Sequence, residues 1–412
     1  MARVYPFRAV RPHAGQAAAV AAVPYDVVNR DEAAALAAGR PLSFLHVSRA
    51  EIDLPAQADP YADIVYRTAA ENFRRMRDGG PLLQDESPGL YVYRLRMGSH
   101  EQTGLAACFD LDEYENGTIV RHERTRPDKE DDRTRHMLEV AAQTGPVFLT
   151  YPAAGEVDAR VAAATAGEPL ADFTAEDGVR HTTWRVPDAT VPALLDAFAA
   201  IPRVYIADGH HRAASAQRAR RAIRAARPAG GALEADRVLA VAFPHTQTRI
   251  LPYHRVVRDL DGQTPERFLA AVRDRCRVAP GGESPASEGR VSMYLDGHWH
   301  EITLEPAGAG APAAERLDVA RLHRQVLQPL LRIGDPRTDG RIAFVGGIRG
   351  AAELRRLVES GAAAVAFAMH PVGVDQLMTI SDAGGIMPPK STWFEPKLRD
   401  GLLTHVIERA AS

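Results

Sequence analysis

Apolar residues recur along the chain with two spacings, which predict a mixture of strands and helices. Short apolar runs bounded by turn residues predict buried strands; these runs lie at 90–95, 104–109, 146–151, 204–207 and 238–243. Apolar residues at helical spacing predict amphipathic helices, and this pattern covers 61–76, 157–166, 191–200 and a long segment from about residue 210. Strands that alternate with helices are typical of a sheet covered by helices. We therefore expect an α/β (mixed α+β) fold.

The last third of the chain repeats this alternation. Asp296 and Gly297 stand between two apolar runs and predict a hairpin turn, and further strands are expected at 342–345 and 364–367. A chain of 412 residues exceeds the size of a single hydrophobic core, so we expect a multi-lobed protein. Changes in composition and in the apolar pattern predict three lobes: an N-terminal cap (1–88), a central region (89–276) and a C-terminal α/β lobe that completes a cleft (277–412).

Composition narrows the set of partners. Acidic and basic residues nearly balance, with a formal net charge of -3, so a broad basic surface for nucleic acid or anionic membranes is not expected. The only cysteines, Cys108 and Cys276, have apolar neighbours and are predicted to be reduced and buried. The N-terminus lacks an apolar signal sequence, and no apolar stretch approaches the roughly 20 residues of a membrane helix. We expect a cytoplasmic protein.

The strongest chemical signal is the segment 205–216. A buried strand ends at an acid, Asp208, and Gly209 permits a tight turn before a helix opens with His210, His211 and Arg212. The N-terminus of a helix favours an anion, and the arginine fork is suited to phosphate. The acid could also hold Mg²⁺ or orient a hydroxyl. The competing interpretation is a capped helix with solvated histidines, but four polar groups converging on one turn favour a functional site.

A second signal follows an apparent strand near residue 120. His122, Glu123 and Thr125 combine a possible general base with donors for phosphate. The charge run from Asp128 to Asp132 is either a solvated helix face or part of the same site, and the sequence leaves these two interpretations open.

A third signal is the segment 384–397. Gly384 stands at the P-loop distance before Lys390 and Ser391, but Pro388 and Pro389 have no backbone N–H to bind a phosphate. A Walker-type loop is therefore not expected. What remains is a rigid turn that presents its polar residues either to a ligand pocket or to packing between lobes; these residues are Lys390, Ser391, Thr392 and Lys397. Tyr25, Asp26 and the segment 43–47 either line a cleft or are satisfied in turns and core.

The chain resembles the prokaryotic family known as domain of unknown function 1015. The resemblance runs nearly end to end, through 24–27, 43–47, 122–123 with 129–133, 145–149, 208–212, 251–255 and 387–397.

Asp208 to Arg212 also resembles the strand-turn-helix of the ParB/sulfiredoxin superfamily, which includes nucleotide-dependent free-serine kinases. This resemblance implies that Asp208 and a glutamate after an earlier strand, best matched by Glu123, serve phosphoryl transfer. Sulfiredoxin activity is disfavoured because His210 stands where the catalytic cysteine would be.

The resulting hypothesis is transfer of a phosphoryl group from ATP or ADP to a small hydroxyl substrate, with free serine as the leading candidate. Such transfer requires a base, a metal and several cationic donors. Glu123 is assigned as the base, Asp208 as a Mg²⁺ ligand or hydroxyl-orienting group, and His210 as a third catalytic residue. The expected nucleotide and phosphate ligands are Gly209, His211, Arg212, Thr125, Lys390, Ser391 and Lys397.

Two alternatives keep the same phosphate site. In the first, the acceptor is water and the protein is a nucleotide or phosphoester hydrolase. In the second, the chain is a non-catalytic nucleotide-responsive or DNA-associated module, although it has no recognisable helix-turn-helix or basic tail. The sequence leaves the acceptor, the choice between ATP and ADP, and the oligomeric state open.

Overall fold

The computed structural model describes residues 2–227 and 230–409, and these form two compact units. The first unit contains the described residues up to Thr248 together with those from Pro396 onward. The second unit is Arg249–Glu395. The C-terminal segment thus belongs to the same unit as the N-terminal half of the chain. The division into 1–88, 89–276 and 277–412 stays a prediction.

The strands of the first unit form two sheets. They are β1 (Val4–Tyr5), β2 (Ala9–Pro12), β3 (Leu82–Gln84), β4 (Tyr91–Met97), β5 (His100–Asp110), β6 (Ile119–Val120), β7 (Ala142–Gln143), β8 (Val147–Tyr151), β9 (Ala171–Thr174), β10 (Arg180–Arg185), β11 (Val204–Asp208), β12 (Arg237–Pro244) and β21 (Thr404–Val406). The larger sheet has the order β6-β11-β8-β12-β5-β4-β10-β9, with β1 added beside β5. The smaller sheet has the order β3-β2-β21-β7.

The helices of the first unit cover these sheets. They are α1 (Ala17–Val20), α2 (Arg30–Ala37), α3 (Leu45–Ser48), α4 (Asp63–Arg77), α5 (Leu111–Asn116), α6 (Pro127–Val140), α7 (Gly155–Ala163), α8 (Val191–Ala199) and α9 (His210–Ala226). One apolar core lies between the larger sheet and its helices, and a second joins α2, α3 and α4 to the smaller sheet. Strands β8 and β12 are mostly apolar because almost all of their residues are buried.

The order of strands near α9 positions the candidate site. The two strands that flank α9 in sequence, β11 and β12, are separated in the sheet by β8. Strand β8 runs antiparallel to β11 and parallel to β12. On its other side β11 pairs in parallel with the short strand β6, with Val204 opposite Ile119. Parallel neighbours end at the same edge of a sheet, so the residues after β6 and after β11 emerge together.

The second unit is also mixed α/β. Its strands are β13 (Arg249–Leu251), β14 (Tyr253–Val257), β15 (Arg277–Pro280), β16 (Arg290–Leu295), β17 (His298–Thr303), β18 (Ile342–Gly346), β19 (Val365–Met369) and β20 (Trp393–Glu395). Its helices are α10 (Pro265–Arg273), α11 (Ala313–Arg316), α12 (Asp318–Leu322), α13 (Gln328–Leu331), α14 (Gly350–Glu359) and α15 (Val374–Asp382). One sheet has the order β15-β17-β16-β19-β14-β18, and β13 pairs with β20.

The predicted α/β (mixed α+β) class is confirmed. The predicted hairpin joins β16 to β17, and both Asp296 and Gly297 have the positive φ that this tight turn requires. Cys108 and Cys276 are both buried and unbridged. No helix in the described part of the chain combines the length and apolar character needed to cross a membrane.

Candidate functional site

The edge of the larger sheet where β6 and β11 end brings together the two strongest sequence signals. His122 and Glu123 follow β6, and Asp208 ends β11 directly before α9. Helix α6, which contains the charge run from Asp128 to Asp132, packs along α9. The predicted partnership of Glu123 with the segment from Asp208 therefore has a structural cause, because parallel pairing places both chain segments at one edge.

Gly209 makes the turn between β11 and α9. Its φ of +95° lies in the left-handed region that disfavours side chains. A Cβ added at this position would lie 3.0 Å from the guanidinium carbon of Arg212. Glycine is therefore required both by the turn and by the close approach of an arginine.

Asp208 is the centre of an ion-pair network. Its Oδ2 accepts a hydrogen bond from Arg212 at 2.6 Å, and its Oδ1 lies 3.3 Å from the Lys397 ammonium. Burial raises the pKa of the Asp208 carboxyl, but the charges of Lys397 and Arg212 outweigh it and hold that pKa well below its usual range. Asp208 is thus an anion held by two cations, with about 26% of its side chain exposed.

His122, Glu123 and His210 form the group of potential metal ligands found in the described chain. One ligand atom from each lies within 4.8 Å of the others. The two imidazole rings meet edge to face, with centroids 4.4 Å apart. Burial lowers the pKa of His122 to about 4, although a hydrogen bond to the Ile206 backbone acts to raise it. Burial and then the neighbouring His122 also lower the pKa of His210 well below its usual value.

Two further predicted phosphate ligands lie beside this group with partners of their own. The Thr125 hydroxyl donates a hydrogen bond to Glu130. The Nε2 of His211 accepts a hydrogen bond from the Arg126 backbone N–H at 3.1 Å. A phosphate bound at either residue would therefore compete with an existing hydrogen bond, and the phosphate role of both stays a prediction.

The predicted phosphate ligands near the C-terminus are divided between the two units. Lys397 belongs to the first unit and contacts Asp208 directly. Lys390 and Ser391 belong to the second unit, where the Lys390 ammonium lies 5.5 Å from the Tyr253 ring and the Ser391 hydroxyl donates to the Pro388 carbonyl at 2.6 Å. Their assignment to a nucleotide site stays a prediction.

The acidic residues of the charge run from Asp128 to Asp132 differ in their exposure to solvent. Asp128 and Asp131 lie on the exposed side and pair with surface arginines. Asp132 is buried, accepts a hydrogen bond from the Tyr66 hydroxyl at 2.9 Å and pairs with Arg133. The run is therefore a solvated face at its start and a structural buried pair at its end.

A small pocket with a volume of about 30 Å³ is lined in part by the Arg212 side chain. Its charged and polar lining consists of Tyr25, Arg133, His136, Gln143, Thr144, Arg212 and Asp400. The sequence analysis left Tyr25 open and missed Arg133 and Asp400 as lining residues. A signal for Asp400 was present, because the pair Asp400-Gly401 repeats the Asp-Gly of the central motif close to Lys397.

Asp400 is held in this pocket by its backbone, which pairs with Ala22 in both directions. Its side chain is 2% exposed. Burial and the nearby Asp26 raise the pKa of the Asp400 carboxyl to about 7, although the charges of Arg212, Arg133 and Arg399 lower it. Asp400 therefore changes charge near neutral pH.

This pKa predicts a pH-dependent stability. An unfolded aspartate loses its proton near pH 4, whereas folded Asp400 keeps it until about pH 7. The native state binds more protons between these values, so the contribution of Asp400 to stability falls as pH rises from 4 to 7. Asp400→Asn should remove this loss, and its advantage over the parent should grow across that window by an amount of the order of 4 kcal/mol. Urea unfolding at pH 4 and pH 7.5 measures the change; parallel losses in parent and variant would contradict it.

Comparison with known proteins identifies the family. The sequence profile described as "Protein of unknown function (DUF1015)" matches residues 4–320. The chain belongs to this family. A search of curated proteins gave no match.

Three solved structures superpose on most of the chain at low identity. A free serine kinase in complex with AMP is 13% identical, with a TM-score of 0.37, and the alignment covers 72% of this chain and 91% of the kinase. A conserved hypothetical protein from Pyrococcus furiosus is 12% identical, with a TM-score of 0.37 and coverage of 73% and 95%. SbnI with a C-terminal truncation, from Staphylococcus aureus, is 12% identical, with a TM-score of 0.35 and coverage of 73% and 87%. At this similarity the likeness does not bear on the activity of the chain.

Proposed function

We propose that this protein transfers a phosphoryl group from ATP or ADP to the hydroxyl of a small substrate, with free L-serine as the leading candidate. The supporting observation is the meeting of Glu123 with the start of α9. Glu123 and the N-terminus of α9 lie at one edge of the sheet. The carboxylate can act as a base for a hydroxyl group, and the helix N-terminus beside it favours an anion. These are two of the parts that phosphoryl transfer requires.

The transfer needs a base on the acceptor side. Glu123 accepts the proton of the substrate hydroxyl while the oxygen of that hydroxyl forms a bond to the terminal phosphorus of the nucleotide. The bond from that phosphorus to the bridging oxygen breaks, and the shortened nucleotide leaves with the bonding electron pair. Glu123 is only partly buried, so a small substrate can reach it from solvent.

The donor side is the turn at Gly209. The backbone at the start of α9 faces the nucleotide phosphates, with His211 and Arg212 as side-chain ligands. Arg212 also fixes Asp208 by an ion pair of 2.6 Å, and Lys397 adds a second cation at the same carboxylate. Mg²⁺, when bound, neutralises the phosphate charge. Asp208 is the residue of this set that could hold it, after giving up part of its pairing with the two cations.

The experiment is an acceptor assay. The purified protein is incubated with L-serine, Mg²⁺ and either ATP or ADP, and ³¹P NMR and mass spectrometry follow the products. We expect phosphoserine together with one equivalent of the shortened nucleotide. If neither serine nor related hydroxy compounds are phosphorylated, the kinase function is wrong.

The same assay separates the alternatives. Nucleotide turnover that needs no acceptor would identify a hydrolase. Nucleotide binding without turnover in the parent, which also survives Asp208→Ala and Glu123→Ala, would identify a non-catalytic nucleotide-responsive module.

A further inference from the structure

Two buried histidines and one carboxylate meet at the edge of the larger sheet, and the proposed phosphoryl transfer gives His122 no role. His122 is 2% exposed and His210 is 7% exposed. Each offers one imidazole nitrogen within 4.8 Å of the other and of a Glu123 oxygen. Buried polar atoms are normally hydrogen-bonded, so a buried pair of imidazoles beside a carboxylate requires an explanation.

His210 provides the decisive atom. Its Nε2 is buried and has no hydrogen-bond partner among the described residues. An imidazole nitrogen in this state costs free energy in the protein alone. The cost is removed when the nitrogen lone pair binds a ligand, and the same ring belongs to a group in which one ligand atom each of His122, Glu123 and His210 lie within 4.8 Å of one another.

From this geometry we propose that His122, Glu123 and His210 bind one divalent transition-metal ion of the Zn²⁺ type. Two imidazole nitrogens and one carboxylate oxygen are the ligand set of open zinc sites, in which water or substrate takes the fourth position. Ligands of a single zinc ion are about 3.4 Å apart, as follows from bonds of about 2.0–2.1 Å. Closure around the ion therefore needs only a side-chain movement of about 1 Å.

The ligand chemistry selects against Mg²⁺ at this site. Mg²⁺ takes oxygen ligands in near-octahedral geometry, whereas imidazole suits zinc and its transition-metal neighbours. The surroundings also fit a metal site, because the His122 ring is oriented by a hydrogen bond to the Ile206 backbone. Such an outer-shell bond from a ligating histidine to a carbonyl is the common arrangement.

Two neighbouring cations have a carboxylate partner outside the ligand group. Arg212 and Lys397 both form ion pairs with Asp208, which compensates one of their two charges. The metal proposal does not rest on phosphoryl transfer, and it gives Glu123 a second role as a ligand. Metal binding and substrate turnover therefore have to be measured separately.

The test is metal binding by the full chain, stripped of metal beforehand. Competition with a chromophoric chelator gives the stoichiometry and affinity for Zn²⁺, and Co²⁺ substitution gives visible absorption bands that report imidazole and carboxylate ligation. We expect one Zn²⁺ per chain that millimolar Mg²⁺ does not displace. His210→Gln, His122→Gln and Glu123→Gln should each weaken binding by more than the roughly tenfold that loss of an outer-shell partner costs.

The matched control is His211→Gln, which changes a histidine in the same helical turn but outside the ligand group. It should bind Zn²⁺ as the parent does. If a buried variant does not fold, as judged by circular dichroism, Glu123→Gln decides, because this residue is partly exposed. No stoichiometric Zn²⁺ in the parent, equal affinity in Glu123→Gln, or equal loss in His211→Gln would each overturn the proposal. These outcomes are independent of whether phosphoserine forms.

Discussion

Arg212→Met is expected to lower the free energy of unfolding of the first unit by about 3 kcal/mol. Arg212 is 7% exposed and donates to both Asp208 and the carbonyl of Pro146. Methionine keeps most of the side-chain volume but supplies no donor, so the carboxylate loses its nearest cation and the carbonyl loses its partner. Removal of one member of a buried pair costs roughly 3–5 kcal/mol. The low end applies because Lys397 still contacts Asp208.

Urea unfolding followed by tryptophan fluorescence measures this change. Trp184 is buried in the first unit, whereas Trp299 and Trp393 belong to the second. A Trp299→Phe and Trp393→Phe background therefore makes the signal report the first unit alone. The control is Arg126→Met, which breaks an exposed pair with Asp128 and should change stability by less than about 0.5 kcal/mol. Equal effects of the two substitutions would refute a structural role for the Asp208 network.

Glu123→Gln is expected to reduce the rate of phosphoserine formation by about 10²- to 10⁴-fold, the usual contribution of a general base. The amide keeps the size and hydrogen-bonding capacity of the side chain but cannot accept a proton. Nucleotide affinity should change little, because the proposed phosphate ligands at the turn of Gly209 are untouched. Steady-state kinetics with varied nucleotide and serine separate the loss in kcat from any change in KM.

The matched control for this variant is Glu139→Gln. Glu139 is an exposed residue of α6, and its substitution should leave the rate within about twofold, as expected for a surface change away from the chemistry. A Glu123→Gln variant that retains more than a tenth of the parent rate would show that another group removes the hydroxyl proton.

Local patterns were sufficient for much of the secondary structure. The apolar spacing over 61–76 predicted a helix, and α4 spans Asp63–Arg77. The apolar run at 204–207 predicted a strand, and β11 spans Val204–Asp208. These elements follow from residues that are close in sequence, since one buried face of a helix or strand imposes its own periodicity.

The sequence pattern did not predict which strands pair with each other. Nothing in the apolar runs indicates that β8 lies between β11 and β12, or that the two-residue strand β6 pairs with β11. Strand pairing depends on contacts between distant segments, and a short buried strand fits several neighbours equally well by composition. The resemblance suggested Glu123 as partner to the central motif, but only the β6–β11 pairing gives the physical reason for their proximity.

The position of the C-terminal segment also depends on the tertiary structure. Strand β21 joins β2 and β7 in the smaller sheet, which brings Lys397 to Asp208 and Asp400 to the pocket beside Arg212. The sequence analysis predicted Lys397 as a nucleotide or phosphate ligand, which stays a prediction, and did not predict its contact with Asp208. Asp400 was missed because a lone aspartate before a glycine is also typical of an ordinary turn.

By itself, the sequence predicted several of the helices and strands and the tight turn at Gly209, because each depends on a few adjacent residues; the anion-binding character of the start of α9 stays a prediction. The tertiary structure decided which charges meet there. It showed that Asp208 is held between Arg212 and Lys397, and that two histidines and Glu123 converge where β6 and β11 end. The pair of Asp208 with Arg212 is local, but the pair with Lys397 and the group of two histidines and Glu123 join residues far apart in the chain, so they exist only once the chain has folded.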